Sequence, residues 1–200
     1  MKMKTYNKLD SIACEKIKAI IESKNSMYHN LDIPLTIDFF HKRYINQLNK
    51  YIDISKATVV DCAAGFGWFT IAYLLAGGKK VFAVDLDQKR LEVVLEIAKI
   101  LSIDDRLELI NSSIHEIPFN KNDVDIFSCI ETLEHVGKDN VFASIKKIMS
   151  ITNKVVLITT PNKFFPVIAH DTRIPFVHML PPGKRAWIAR LFNKQHLNDD

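Results

Sequence analysis

Two acids and a run of small residues, at fixed spacing, carry the chemistry of this chain. Residues 59–67 read V-V-D-C-A-A-G-F-G, an apolar run closed by Asp61 and followed by a loop of small residues. The next apolar run, V-F-A-V-D, is closed by Asp85. Gly65 and Gly67 carry no Cβ, so the backbone can approach a ligand closely there. A helix starting near Trp68 aims its free N–H groups at the same place. An acid about 20 residues further on, at the tip of a second strand, suits a ribose diol, whose hydroxyls donate to a carboxylate. The residues predict a pocket for a nucleoside-containing cofactor.

The neighbours of the loop bear on which cofactor. A dinucleotide site wants G-x-G-x-x-G with a pyrophosphate on the helix N-terminus. Here the run from Gly65 ends in Thr70, and Phe66, Trp68 and Phe69 crowd the space a pyrophosphate needs. Asp61 would repel a pyrophosphate and attract the ammonium of an amino acid. S-adenosylmethionine has an ammonium, a sulfonium and no phosphate, so the charge pattern favours it over NAD.

The loop resembles the D-x-G-x-G-x-G loop of class I S-adenosylmethionine-dependent methyltransferases. Residues 123–136 (D-V-D-I-F-S-C-I-E-T-L-E-H-V) resemble that family's fourth strand and the loop after it, and T-T-P-N (159–162) resembles the end of its fifth strand. Together the motifs span residues 57–162 in the family's order. The resemblance implies that Asp61, Ala63, Gly65 and Gly67 hold the methionine end. It implies Asp85 on the ribose, Leu86, Ser113 and Ile114 around the adenine, and Ile130 at the cofactor's edge. Glu131 and His135 would lie beside the transferring methyl as catalytic residues. Ala63 stands where the family has a glycine and is expected to keep φ negative, as an L-residue prefers. Ser113 stands where the family often has an acid, so the hydroxyl offers a hydrogen bond without charge.

Glu131, Glu134 and His135 form E-x-x-E-H, which resembles ubiquinone-pathway O-methyltransferases and small-RNA 2′-O-methyltransferases. That likeness implies Mg²⁺ or another divalent metal on these three residues, with a fourth ligand from His170 or His178. A metal lowers the pKa of a bound hydroxyl and holds it for attack. On a helical turn Glu131 and Glu134 would share a face with His135. Two other readings stand beside it: an acid that caps the following helix with a His packed under the cofactor, and His135 as general base.

The elements that must position these residues alternate. Strands are expected at Thr58–Cys62, Lys80–Val84, Leu107–Asn111, Asp125–Ile130 and Lys154–Thr159. Helices are expected at Trp68–Leu75, Gln88–Leu101 and from about Asn140 to Ser150. This alternation predicts right-handed βαβ units, hence an α/β, Rossmann-like, doubly wound and mostly parallel sheet with helices on both faces. Two helices lead the chain: Asp10–Lys24, with Asp10 or Ser11 as cap, and Leu35 to about Tyr51, opened by Pro34. The expected organisation is leading helices and lid over 1–53, a cofactor-binding core over 54–162, and an acceptor-lid segment with a basic amphipathic helix over 163–200. After Asn162 no candidate appears for the antiparallel hairpin with which the class I sheet normally ends. An uncovered sheet edge risks association, so a homo-oligomer is one expectation.

Composition bounds the partners. The 200 residues are 48% apolar with net charge +4, enough for one domain with a real core. No apolar run reaches the ~20 residues a bilayer span needs, and the polar N-terminus is no secretory signal. Cys14, Cys62 and Cys129 are widely spaced and read as reduced thiols of a cytoplasmic protein. The acceptor implied by the resemblance is a small hydroxylated molecule, sugar or quinol-like, methylated on oxygen. DNA is not expected. RNA 2′-O-methylation, a non-catalytic cofactor-binding partner subunit and an NAD-dependent oxidoreductase are the rivals. Lys184, Arg185, Arg190 and Lys194 around Trp187, Ile188 and Leu191 allow weak contact with an anionic membrane surface.

Overall fold

A computed structural model describes residues 9–24 and 31–160 and, beyond them, Val177, Leu180, Pro181, Lys184, Trp187, Ile188 and Leu191. Among these residues one sheet of five parallel strands forms: β1 (Thr58–Cys62), β2 (Lys80–Asp85), β3 (Leu107–Asn111), β4 (Val124–Ile130) and β5 (Thr152–Thr159). The spatial order is β3-β2-β1-β4-β5. The chain therefore runs outward from β1 through β2 to β3, then crosses back to β4 on the other side of β1. That reversal opens a crevice above the carboxyl ends of β1 and β4.

The strands are built from β-branched and aromatic residues, as burial on both faces demands. Val59, Val60, Val81, Ile126 and Phe127 are inaccessible to solvent. On one face lie α1 (Ser11–Lys24), α2 (Ile33–Phe40), α4 (Trp68–Leu75) and α5 (Gln88–Ile100). On the other lie α6 (Lys138–Ile151) and the short turn at Ile114–Glu116. Asp125 clamps the amino ends of three strands: it accepts from the Thr58 backbone N–H at 3.0 Å and pairs with Lys154 at 2.8 Å.

The leading helices share the main core. Ile17 and Ile21 of α1 and Ile37 of α2 are buried in one cluster with Val59 and Ile71. Asp10 caps α1 through the Ala13 N–H, and Asp32 caps α2 through the Leu35 N–H. The expected unbroken helix from Leu35 to Tyr51 is not what forms. A π-helical segment, His41–Ile45, separates α2 from the short α3 (Asn46–Leu48). Tyr44 and Ile45 are both buried in that widened turn, with the Tyr44 ring edge-on to Phe69 of α4 at 6.4 Å.

Helix α6 starts two residues before the expected Asn140, and β5 starts at Thr152 rather than Lys154. No loop separates them, because Thr152 already pairs with Val124. Strand β5 is an edge among the described residues, and Val156 and Ile158 are each more than a third exposed. Phe142 and Met149 of α6 are exposed. No helix among the described residues is long and apolar enough to cross a membrane.

Candidate cofactor and active site

The carboxyl ends of the strands bring six of the predicted residues to one cavity. A cavity of about 270 Å³ is lined by Cys62 and Ala63 after β1, Asp85 and Leu86 after β2, and Ser112 to His115 after β3. Thr132, His135 and Val136 line it from the loop after β4, and Asn140 and Ser144 from α6. Of the expected site residues, Ala63, Asp85, Leu86, Ser113, Ile114 and His135 meet here. Asp61, Gly65, Gly67, Ile130, Glu131 and Glu134 do not line this cavity.

The glycine loop earns its shape by three left-handed residues: Ala63 at φ +56°, Gly65 at +56° and Gly67 at +75°. The expectation that Ala63 keeps φ negative fails. The chain must turn off the end of β1 there while Ala64 donates to the Val84 carbonyl at 3.0 Å, and that bond holds the turn. The two glycines serve different ends. A Cβ on Gly65 would meet nothing within 4 Å, which leaves open space over the loop. A Cβ on Gly67 would lie 2.7 Å from Val94 of α5, so that glycine is required for packing as well as for φ.

Asp85 is held rigidly. One carboxylate oxygen accepts from the Gly65 N–H at 2.8 Å and the other from the Asp87 N–H at 2.9 Å. Each oxygen keeps a second lone pair, so a diol can still donate to this carboxylate. The acid thereby ties the glycine loop to β2. Asp61 is buried and accepts from the Thr70 hydroxyl of α4 at 2.6 Å. Burial pushes its carboxyl up to about 7, the Thr70 hydrogen bond pulls the other way, and the nearby Asp85 adds to the rise.

Ser113 donates to Glu116 at 2.6 Å, and Ile114 is buried against the cavity wall. Leu86 is largely exposed at the rim. Cys62 reaches the cavity. Its hydrogen bond with Cys129, its register partner, and then its burial hold the thiol well above the ordinary range.

The E-x-x-E-H residues do not share a helical face. Glu131 turns off β4 with φ +51°, and its N–H donates to the Thr159 carbonyl at 2.9 Å. Only Leu133–His135 forms a turn, of the 3-10 type. His135 Nε2 lies 3.9 Å from Glu134 Oε1. Among the described residues no group of three or more His, Cys, Asp or Glu side chains gathers to hold an ion. His170 and His178, the proposed fourth ligands, lie outside the described residues, as do Arg185, Arg190 and Lys194. Lys184, Trp187 and Leu191 are exposed.

Sequence reasoning missed Cys62, Ser112, His115, Thr132, Val136, Asn140 and Ser144 as cavity residues. Asn140 and Ser144 had a usable signal: they sit at i and i+4 and so share one side of the helix after the fourth strand.

Comparison with known proteins agrees with this geometry. A family model described as "Methyltransferase domain" matches residues 59–154, the stretch from β1 into β5. Residues 59–154 are thus similar to a methyltransferase domain. Two solved structures share its fold. A SAM-dependent methyltransferase from Aquifex aeolicus is 16% identical, with 80% of this chain and 87% of that one covered at a TM-score of 0.56. An inferred S-adenosyl-L-methionine-dependent methyltransferase from Methanococcus maripaludis is 19% identical, with 73% and 65% covered at a TM-score of 0.55. Among curated proteins, ribosomal protein L11 methyltransferase from Colwellia psychrerythraea is 40% identical over 58 residues. That stretch is 29% of this chain and spans only 20% of the relative's length.

Proposed function

We propose that the chain binds S-adenosylmethionine in the cavity above β1, β2 and β4 and transfers its methyl group to a small hydroxylated acceptor, sugar or quinol-like, on oxygen. The observation that carries this reading is the convergence of Asp85, Leu86, Ile114 and His135 on one cavity at the switch point of a parallel sheet. The residues fit the cofactor. Asp85 has lone pairs to spare for a ribose diol, Leu86 and Ile114 offer apolar faces to a base, and the space over Gly65 is open to the amino-acid end. When bound, S-adenosylmethionine supplies a methyl group on a sulfonium, a good leaving group.

Methyl transfer of this kind is an in-line displacement that needs positioning more than a strong base. Asp85, locked between two backbone N–H groups, fixes the ribose. His135, on the turn after β4, stands where it can accept the acceptor hydroxyl's proton as the oxygen attacks. Asp61 and Thr70 sit behind the loop, and Asp61 supports the ammonium as a carboxylate screened from water. Glu131 is a positioning residue in this reading: it sets the turn that carries His135 into the cavity.

Isothermal titration with S-adenosylhomocysteine and, separately, NAD tests the cofactor. Binding of the first without the second is the expected result; the reverse would sink the proposal. Methyl transfer from labelled S-adenosylmethionine to sugar and quinol acceptors, and its loss in His135→Ala, tests the acceptor assignment. Labelling of RNA in place of small acceptors, in a salt-dependent manner, would replace it with the RNA reading.

A further inference from the structure

Among the described residues, the buried hydroxyls of Ser128 and Ser144 have no hydrogen-bond partner. Only Ser144 lines the cavity. Its side chain is fully buried, two turns into α6. A serine at such a position ordinarily bonds back to the carbonyl one turn earlier, here that of Asn140, yet this hydroxyl has no partner. A buried hydroxyl left without a partner is unfavourable, and a helix interior gains nothing from serine over alanine. The cost is recovered only if something in the cavity bonds to Ser144.

The cavity walls say which part of a ligand that is. Asp85 fixes the sugar at the end of β2, and Leu86 and Ile114 flank the space next to it with apolar surface. Helix α6 closes that space from the side opposite the glycine loop's helix, since α6 and the turn at Ile114–Glu116 pack on the same sheet face. A group beyond the sugar with apolar faces and a polar edge is a nucleobase. Ser144 supplies both a donor and an acceptor, and Asn140 stands one turn above it on the same side.

We propose that Ser144 hydrogen-bonds the heteroatom edge of the cofactor's purine, so that α6 is a base-recognition element of the site. This rests on S-adenosylmethionine being the cofactor. It also explains how the site manages with Ser113 where an acid is expected: Ser113 donates its hydroxyl to Glu116, and the edge contact passes to α6.

The test compares wild type with Ser144→Ala, first without ligand by thermal unfolding, then by titration with S-adenosylhomocysteine and with methylthioadenosine, which keeps the base and sugar and lacks the amino-acid end. The expected result is an unliganded Tm equal to or above wild type, because an orphan hydroxyl has been removed. Affinity for both ligands should fall by about tenfold, roughly the contribution of one hydrogen bond. An unchanged Kd, or a lower unliganded Tm with unchanged Kd, overturns the proposal and leaves the cofactor assignment standing. A loss confined to S-adenosylhomocysteine puts the contact at the amino-acid end and overturns it as well. Failure of wild type to bind either ligand overturns the cofactor assignment itself, and this proposal with it.

Discussion

Two residues flank the crevice in a conformation that L side chains avoid: Ala63 at φ +56° after β1 and Glu131 at φ +51° after β4. They leave adjacent strands, Ala63 one residue and Glu131 two residues past the Cys62–Cys129 register pair. Such strain persists only where surrounding bonds over-determine it, and both have one, Ala64 N–H to Val84 and Glu131 N–H to Thr159. Left-handed backbone costs an L-residue roughly 1–2 kcal/mol, and glycine gives back roughly 0.4–1 kcal/mol through its freer unfolded chain. Ala63→Gly should therefore stabilise the chain by up to about 1 kcal/mol. Urea unfolding should show a higher midpoint with the slope unchanged; a lower midpoint would mean that the turn is not strained. Asp85 argues the other way. Asp85→Ala strands the Gly65 and Asp87 N–H groups and removes the proposed ribose acceptor. It should cost about 1–3 kcal/mol of stability and at least roughly tenfold in S-adenosylhomocysteine affinity, read by denaturation and titration respectively.

Between elements, the loop from β1 to α4 holds two glycines that look alike in sequence and have different surroundings. Gly67→Ala forces a Cβ to within 2.7 Å of Val94 and onto a left-handed φ, and overpacking of that kind costs about 1–3 kcal/mol. Gly65→Ala meets no neighbour, so it should cost only the conformational strain while filling the space proposed for the cofactor. The pair separates on two axes: Gly67→Ala lowers Tm more, and Gly65→Ala weakens S-adenosylhomocysteine more relative to its Tm loss. Equal effects on both axes would refute the division. The motif made the loop legible, because the family pattern depends on backbone shape. It did not separate the roles of the glycines, since Val94 is contributed by a helix that begins only at Gln88. The turn at Glu131 was misread for the same reason: the residue types suit a helical face, but hydrogen bonds from β5 set the local backbone.

At the scale of the molecule, strand and helix identities followed from alternating apolar runs, and the parallel order followed from their alternation. What escaped were features fixed by tertiary contact, such as the π-segment at His41–Ile45 and the cavity wall on α6. One buried charge links the whole fold to pH. Asp61 is nearly inaccessible, and its carboxyl is pushed up to about 7 by burial, against an ordinary value of about 4 in the unfolded chain. Between these values the folded chain keeps a proton that the unfolded chain has released, so stability from this residue is fully present below about pH 4 and is lost as pH rises through about 7. Each unit of displacement corresponds to ~1.4 kcal/mol, which makes the loss a few kcal/mol. Asp61→Asn keeps an acceptor for Thr70 and cannot ionise. Unfolding free energies measured at intervals from pH 4.5 to 8 should fall more steeply for wild type than for the variant, with the variant the more stable at pH 8. Parallel curves would show that Asp61 is ionised throughout and solvated by groups beyond Thr70. An ammonium placed near Asp61, as the proposed binding mode has it, favours the ionised acid, so titration of S-adenosylhomocysteine at pH 6.5 in buffers of different ionisation enthalpy should show proton release by wild type and less by the variant. If Asp61 holds the ammonium as proposed, stability favours its protonated form and cofactor affinity its ionised form, and the protonation state of one carboxyl decides the balance between them.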